Sequence, residues 1–166
     1  MHQEILMESS EKTAPKEFLD RLRRLFTDIE TWVQSRNMQV VRSKMTLNEE
    51  AYGEYEVDKL SLTREGGKRI ADVVPAGASV IGARGLVDLV GTIDQEILVY
   101  LDKDGPCITT AITDGDHKQT HTTPLYRGIE EAGWYWIESR KLSRGRKLDE
   151  ALFLDLLAEV SDYECR

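Results

Sequence analysis

The sequence predicts an α+β domain built on a mainly antiparallel sheet of five or six strands, flanked by an N-terminal and a C-terminal amphipathic helix. Three observations favour this fold class. Apolar residues recur at helical spacing near both ends, short runs rich in Val, Ile, Leu and Tyr fill the middle, and turns containing Gly, Pro or Asp separate those runs. The length of 166 residues predicts a single domain, which we assign to residues 14–166, after a flexible polar leader over residues 1–13.

Both predicted helices have an apolar stripe with charged residues elsewhere. The first should begin near Pro15, because proline is tolerated in the first helical turn, and should end near Arg36. The last should run from about Leu148 to Asp162. The two stripes consist of Phe18, Leu22, Leu25, Phe26, Ile29, Trp32 and Val33, and of Leu152, Phe153, Leu156, Leu157 and Val160. This spacing favours packing against a core over a cofactor surface.

Between the helices, the segments that supply the strands are rich in β-branched or alternating apolar residues. They are Met38–Met45, Tyr55–Arg64, Lys68–Val74, Gly85–Val90, Glu96–Asp102, Cys107–Thr113 and Trp134–Ser139. We expect the polar stretch Asp114–Pro124 to be irregular, Leu125–Ala132 to form a short helix, and Arg140–Lys147 to form a basic loop.

The strands Gly85–Val90 and Glu96–Asp102 form a predicted hairpin at the centre of the chain. If Asp88 lies opposite Tyr100, one face of this hairpin is wholly aliphatic and the other is mixed. A shift by one residue spoils that separation, so we expect the first register.

Asp88 is the most informative residue of the chain. A carboxylate between Val87 and Leu89 must find donors or water, because an unpaired buried charge is costly. We interpret it as a candidate site acid, with two alternatives. It is otherwise a solvent-facing sheet residue, or the partner of an arginine such as Arg84.

Charge and cysteine content argue against several classes of protein. The formal net charge of −8 argues against a general binder of nucleic acids or anionic membranes. Cys107 and Cys165 lack motif spacing, so we expect no disulfide framework and no zinc site, and the pair fits a reducing compartment. No secretory signal and no apolar run of membrane-spanning length are present. These features predict a cytoplasmic protein with no membrane association and no cofactor.

Asp102 and Lys103 join Asp88 as candidate catalytic residues, placed at the end of the predicted central hairpin. The order helix, strand, hairpin, short helix, strand resembles the core of the PD-(D/E)xK nucleases. That resemblance implies a divalent ion held by Asp88 and Asp102 beside a scissile phosphate. The acid-x-lysine signature is not intact, because Tyr100 stands two residues before Asp102 and Lys103 directly follows it.

A second cluster combines Asp114, Asp116, His117 and His121. On a helix the two histidines could share one metal ion, whereas in a strand they would lie about 13 Å apart. The segment TDGDHKQTHTTP has no helical character. We therefore interpret these side chains as solvated turn residues and predict no metal site.

A third cluster combines aromatic and basic residues near the C-terminus. Aromatic and arginine side chains are common at binding hot spots. The candidate binding residues here are Trp134, Trp136, Arg140, Arg144, Arg146 and Lys147. The alternative is a solvated loop whose charges offset nearby acids, with both tryptophans in the core.

No nucleophile elbow, P-loop, dinucleotide-binding glycine motif or H-E-x-x-H motif is present. The leading hypothesis is therefore a non-catalytic binding or adaptor module with a protein partner. Self-association through an exposed strand or helix face is a second option, and nucleic acid is the less favoured partner. The alternative function is a divalent-metal nuclease or a degenerate relative. Convergence of Asp88 and Asp102 in an open cleft would favour the nuclease.

Overall fold

The computed structural model describes residues 2–79, 82–138 and 143–164, with side chains from residue 15 onward. Within these ranges one long helix comes first, nine strands follow, and a shorter helix comes last. The elements are α1 (His2–Gln34), β1 (Met38–Glu49), β2 (Gly53–Arg64), β3 (Arg69–Gly77), β4 (Leu86–Gly91), β5 (Gln95–Leu101), β6 (Cys107–Asp114), β7 (His117–Pro124), β8 (Gly133–Ile137), β9 (Gly145–Lys147) and α2 (Glu150–Val160).

Seven of these strands form one antiparallel sheet in the order β1-β2-β3-β4-β5-β8-β9, which confirms the α+β class and the mainly antiparallel sheet. The sheet is larger than the five or six strands predicted. One addition is β9, which lies in the predicted basic loop and pairs with β8 from Tyr135↔Lys147 to Ile137↔Gly145. Its short basic sequence has no apolar alternation, so backbone pairing forms a strand that side-chain patterns do not predict.

Both helices pack against one face of the sheet and enclose the main core. The rings of Trp32 in α1 and Phe153 in α2 have centroids 5.7 Å apart. Val73, Val87 and Leu98 from three adjacent strands are fully buried in the same core. No helix in the described part of the chain is long and apolar enough to cross a membrane.

The long helix α1 extends to His2, so the predicted start near Pro15 is wrong. Pro15 lies inside the helix, where it has no N–H to donate to the carbonyl group four residues earlier. The missing hydrogen bond interrupts the backbone ladder but does not end the helix, because the turns on both sides continue. The division into a leader over residues 1–13 and a domain over residues 14–166 stays a prediction.

The register of the central hairpin differs from the prediction. Asp88 of β4 lies opposite Ile97 of β5 and not opposite Tyr100. This shift by three residues exchanges the faces of β5. Ile97 and Val99 therefore share a face with Asp88, while Leu98 points into the main core.

A second, smaller core explains this register. Leu101 of β5 and Tyr135 of β8 are buried with Ile129 on the face away from the helices. Apolar residues are therefore needed on both faces of β5, whereas the prediction assumed a single core. The connection between β4 and β5 is also short, and the Gly91 N–H donates to the Asp94 carbonyl group at 2.9 Å.

The strands β6 and β7 form a separate two-stranded sheet, so the expectation that Asp114–Pro124 is irregular is wrong. Their pairing runs from Cys107↔Pro124 to Asp114↔His117. Gly115 has a φ of 60° in the connecting turn. The strand β7 has no apolar alternation because neither of its faces is buried.

The segment Leu125–Ala132 is not helical, so the predicted short helix is wrong. Gly128 has a φ of 83°, which breaks any helix, and Ile129 reaches the second core. At the start of this segment the Leu125 N–H donates to the Pro106 carbonyl group at 2.8 Å. That hydrogen bond closes the base of the β6–β7 hairpin.

Candidate functional site

The face of the sheet away from α1 and α2 is apolar, and it is open beside the second core. Strand alternation places one set of residues from β3, β4 and β5 on this face. We call this set the outer sheet face: Val74, Leu86, Asp88, Val90, Ile97 and Val99. Ile97 is 47% exposed, and the other members are half-buried. An apolar surface that neither helix covers is typical of a binding surface.

Asp88 lies in the middle of the outer sheet face, between Val74 of β3 and Ile97 of β5. Burial raises the pKa of its carboxyl group, because the charged form loses water. Among the described residues, no hydrogen bond or ion pair reaches this carboxylate. Arg84, one of its suggested partners, forms an ion pair with Asp102 instead.

Asp72 of β3 is a second acid on this face, and the sequence analysis missed it. It lies opposite Val90 and diagonally to Asp88, a separation of about 7–8 Å in sheet geometry. One carboxylate oxygen is 2.9 Å from Arg69, while Oδ1 is buried without a hydrogen-bond partner in the described part of the chain. A signal was present, because I-A-D-V-V has the same acid between aliphatic residues as L-V-D-L-V.

A cavity of about 470 Å³ adjoins the outer sheet face. It opens to solvent between β5, β8 and the segment that follows β7. Its apolar lining includes Ile97, Val99, Leu125, Tyr126 and Ile137. Because Ile97 belongs to both features, the cavity and the outer sheet face form one continuous apolar surface.

The candidate catalytic residues do not come together. Asp102 and Lys103 lie in the exposed loop that follows β5. Asp88 pairs with Ile97, five residues before Asp102, which places the two acids about 16 Å apart along the strand. One metal ion cannot bind both carboxylates at that distance. The pair therefore does not form the cleft that the nuclease hypothesis requires.

The histidine cluster also spreads out. His117 and His121 lie on the exposed strand β7, on the same face but four residues apart. In the residues that the structure describes, no group of three or more His, Cys, Asp or Glu side chains is arranged to hold a metal ion.

Trp134 and Trp136 of β8 are half-buried against the main core. The Trp134 ring meets Tyr100 edge-on, with centroids 5.5 Å apart. The Trp136 Nε1–H donates to Glu96 at 2.8 Å. Each ring already has partners within the chain, which favours the structural alternative for this aromatic pair.

The basic candidates lie along β9 and just before it. The Arg146 guanidinium is 6.0 Å from the centre of the Trp136 ring, and Lys147 forms an ion pair with Glu131. Arg144 forms a backbone bridge with the segment after β7. Arg140 lies outside the described residues. The described members therefore do not combine with both tryptophans into one open patch.

The β6–β7 hairpin is the most exposed element that the structure describes. Every residue of both strands is exposed, including Ile108 at 54% and Ile112 at 56%. The sequence signal for this hairpin is the Gly115-Asp116 pair, which forms the two-residue turn between two threonine-rich runs. We call this element, Cys107–Pro124, the projecting hairpin.

Comparison with protein-family models, with curated proteins and with solved structures finds no match for this chain. The class that the fold and site define is an α+β protein with a seven-stranded antiparallel sheet, one face of which is closed by helices. Its function has to be inferred from the open face.

Proposed function

We propose that this protein is a non-catalytic binding or adaptor module, and that its outer sheet face binds an apolar protein segment carrying a basic side chain. The observation that supports this proposal most is the position of Asp88. Its half-buried carboxylate lies in an open aliphatic surface, without a partner among the described residues.

The chemistry of the partner follows from this position. Aliphatic residues around Asp88 favour an apolar segment, because burying their exposed area is favourable. A carboxylate that becomes fully buried against such a segment must be paired. A lysine, arginine or histidine on the partner supplies the missing donor.

Electrostatics favour a basic protein segment over a nucleic acid. The chain has a net charge of −8, and the outer sheet face has the acid Asp88 in addition to Asp72, which forms an ion pair with Arg69. Phosphate backbones are repelled by such a surface, while basic segments are attracted to it. Exposed Cys107 forms no disulfide within the described part of the chain, which supports our placement of this activity in the reducing cytoplasm.

Designed peptides test the proposal. A set of fluorescent apolar peptides with a central Lys, His or Gln is titrated with the wild-type chain and with Asp88→Asn, Ile97→Thr and Val41→Thr. Val41 is an exposed aliphatic residue of the edge strand β1, three strands away from β4 in the sheet order, so its variant is the control.

We expect the Lys and His peptides to bind at least tenfold more tightly than the Gln peptide, a difference of about 1.4 kcal/mol. Asp88→Asn should remove this preference, and Ile97→Thr should weaken all three peptides. Equal binding by the wild type and both outer-face variants would overturn the proposal, as would a lack of binding of every peptide to the monomeric chain.

A further inference from the structure

We propose that the segment bound by the outer sheet face is the projecting hairpin of a second copy, so that two chains form a homodimer by reciprocal exchange of hairpins. This inference rests on the proposed function and names its partner. It starts from the isolation of the hairpin. Within the described part of the chain, β6 and β7 pair only with each other.

A lone hairpin of this kind is not self-sufficient. Two strands without a covering layer are at best marginally stable in water. With eight residues in each strand, the hairpin extends about 27 Å. An element of this length, with exposed isoleucines and no apolar layer over it, is typical of an arm that is ordered by a partner.

One face of the hairpin has a distinct pattern. Ile108, Thr110 and Ile112 alternate onto the same face of β6. His121 of β7 lies directly opposite Thr110, so it stands between the two isoleucines on that face. The β6 half of this face is therefore apolar at both ends, where Thr123 and Gln119 of β7 lie opposite the isoleucines, and a hydrogen-bond donor stands in the middle.

The outer sheet face has the complementary pattern. Leu86 and Val90 flank Asp88 on β4, and Ile97 lies beside it on β5. It is therefore apolar at both ends with an acceptor in the middle. A hairpin laid on this face buries its isoleucines on aliphatic side chains while His121 donates to the Asp88 carboxylate.

The position of the hairpin base makes the exchange reciprocal. Leu125 directly follows β7 and lines the cavity beside Ile97, so the hairpin leaves the chain at the border of the outer sheet face. A twofold axis near this border therefore places each hairpin across the other chain's face. Both contacts are then identical, as an isologous dimer requires.

Charge and area favour this arrangement. Segment Cys107–Pro124 has two acids and one lysine, so it is nearly neutral in a chain of net charge −8. Contact through the hairpins avoids bringing the acidic surfaces of two chains together directly. One hairpin face covers about 270 Å², so two exchanged hairpins bury about 1,100 Å² in total, near the lower limit for specific interfaces. Hairpin-on-hairpin contact alone would bury only about half as much.

The test measures the mass of the whole chain in solution by sedimentation equilibrium over a range of micromolar concentrations. We expect the wild type to approach twice the 18.9 kDa chain mass. Ile108→Thr combined with Ile112→Thr, and separately Asp88→Lys, should weaken the dimer at least tenfold. Val41→Thr should leave it unchanged, since Val41 is as exposed as Ile108 but lies on β1.

A charge exchange makes the test specific. His121→Asp alone should weaken the dimer, and the double variant Asp88→Lys with His121→Asp should restore it. Circular dichroism confirms that each variant remains folded. The threonine substitutions keep β propensity, so the hairpin persists.

The results separate this inference from the function on which it rests. A monomeric wild type that still prefers Lys and His peptides overturns the exchange and leaves the binding function standing. A dimer insensitive to the isoleucine and Asp88 variants, or a double variant that is not restored, also overturns the exchange. A monomer that binds no peptide overturns both.

Discussion

Gly91 of β4 lies directly against the carbonyl group of Val160 at the end of α2. A side chain on residue 91 would overlap that oxygen. The same carbonyl accepts hydrogen bonds from the N–H groups of Ile93 at 2.9 Å and Asp94 at 3.1 Å. The turn after β4 thus donates hydrogen bonds to the last carbonyl group of α2. The close approach of Gly91 to that group requires a residue without a side chain.

The first prediction is that Gly91→Ala lowers the free energy of unfolding by about 2–4 kcal/mol, because backbone must move to admit the methyl group. Urea unfolding followed by tryptophan fluorescence measures the change. Gly133→Ala is the matched control, since its methyl group would meet only the flexible end of Lys147. Equal losses in the two variants would contradict the prediction.

The second prediction concerns Glu49 at the end of β1. Its carboxylate accepts hydrogen bonds from the backbone N–H groups of Ala78 at 3.0 Å and Ser79 at 3.2 Å. Glu49→Ala leaves these two backbone donors, and the Tyr55 hydroxyl group that donates to the same carboxylate, without their acceptor, and should cost about 1–3 kcal/mol in the same urea experiment. The neighbouring exposed residue provides the control, Glu50→Ala, and a similar loss there would show that the hydrogen bonds do not matter.

The third prediction concerns the ionisation of Tyr55. Burial and the adjacent Glu49 carboxylate raise the pKa of its phenol far above the usual value. Because the folded pKa exceeds the unfolded one, the stability that this group provides is complete below the unfolded pKa, near 10. That stability is lost as the pH rises toward the folded pKa.

The absorbance of tyrosinate during an alkaline titration tests whether the folded pKa of Tyr55 exceeds the unfolded one. In the wild type, one tyrosine should resist titration until the chain unfolds in strong alkali. In Tyr55→Phe this delayed ionisation should be lost. Ionisation of all six tyrosines in one step on a folded chain would contradict the prediction.

The fourth prediction concerns the pH dependence of Asp88. Burial raises the pKa of its carboxyl group above the unfolded value, so the native state is favoured while the acid is protonated. Stability is lost as the pH rises through the folded pKa. Asp88→Asn should therefore raise the melting temperature at pH 7, and the gain should vanish below the unfolded pKa of about 4.

Dilute solution, where the chain is monomeric, isolates this effect from self-association. Asp28→Asn on the exposed side of α1 is the control and should change the melting temperature little at either pH. A lower melting temperature for Asp88→Asn at pH 7 would show that the carboxylate has a stabilising partner.

The sequence predicted the helical stripes well because burial imposes a strong periodic signal. Phe18, Phe26 and Ile29 of α1 and Phe153 and Leu157 of α2 are fully buried, as expected. The α+β class followed from the same signal, since the apolar strand segments require a layer over one face.

The register of β4 and β5 could not be predicted in the same way. Segregation of aliphatic residues gives the correct register only if a single face of the hairpin is buried. Here Leu101 and Tyr135 form a second core on the other face. That core depends on Ile129, whose position was hidden by the assignment of its segment to a helix. The sequence of β5 itself does not indicate this contact with Ile129.

The candidate site was predicted in part. Asp88 was singled out for its aliphatic neighbours, and it does lie in an apolar surface. Asp72 has the same sequence environment and was missed, because Lys68–Val74 was interpreted only as a strand segment and its acid was not considered. Of the projecting hairpin, β6 was predicted and β7 was not. A threonine-rich polar strand that faces solvent has the same sequence pattern as irregular chain.

The hydrogen bond between Leu125 and Pro106 joins the two ends of the projecting hairpin at its base. The 18 intervening residues can therefore be shortened or extended without displacing β5 or β8. Adding two residues to each strand would lengthen the hairpin by about 7 Å and keep every side chain on its face. Insertions can consequently change how far the projecting hairpin extends from the sheet, while the rest of the fold stays the same.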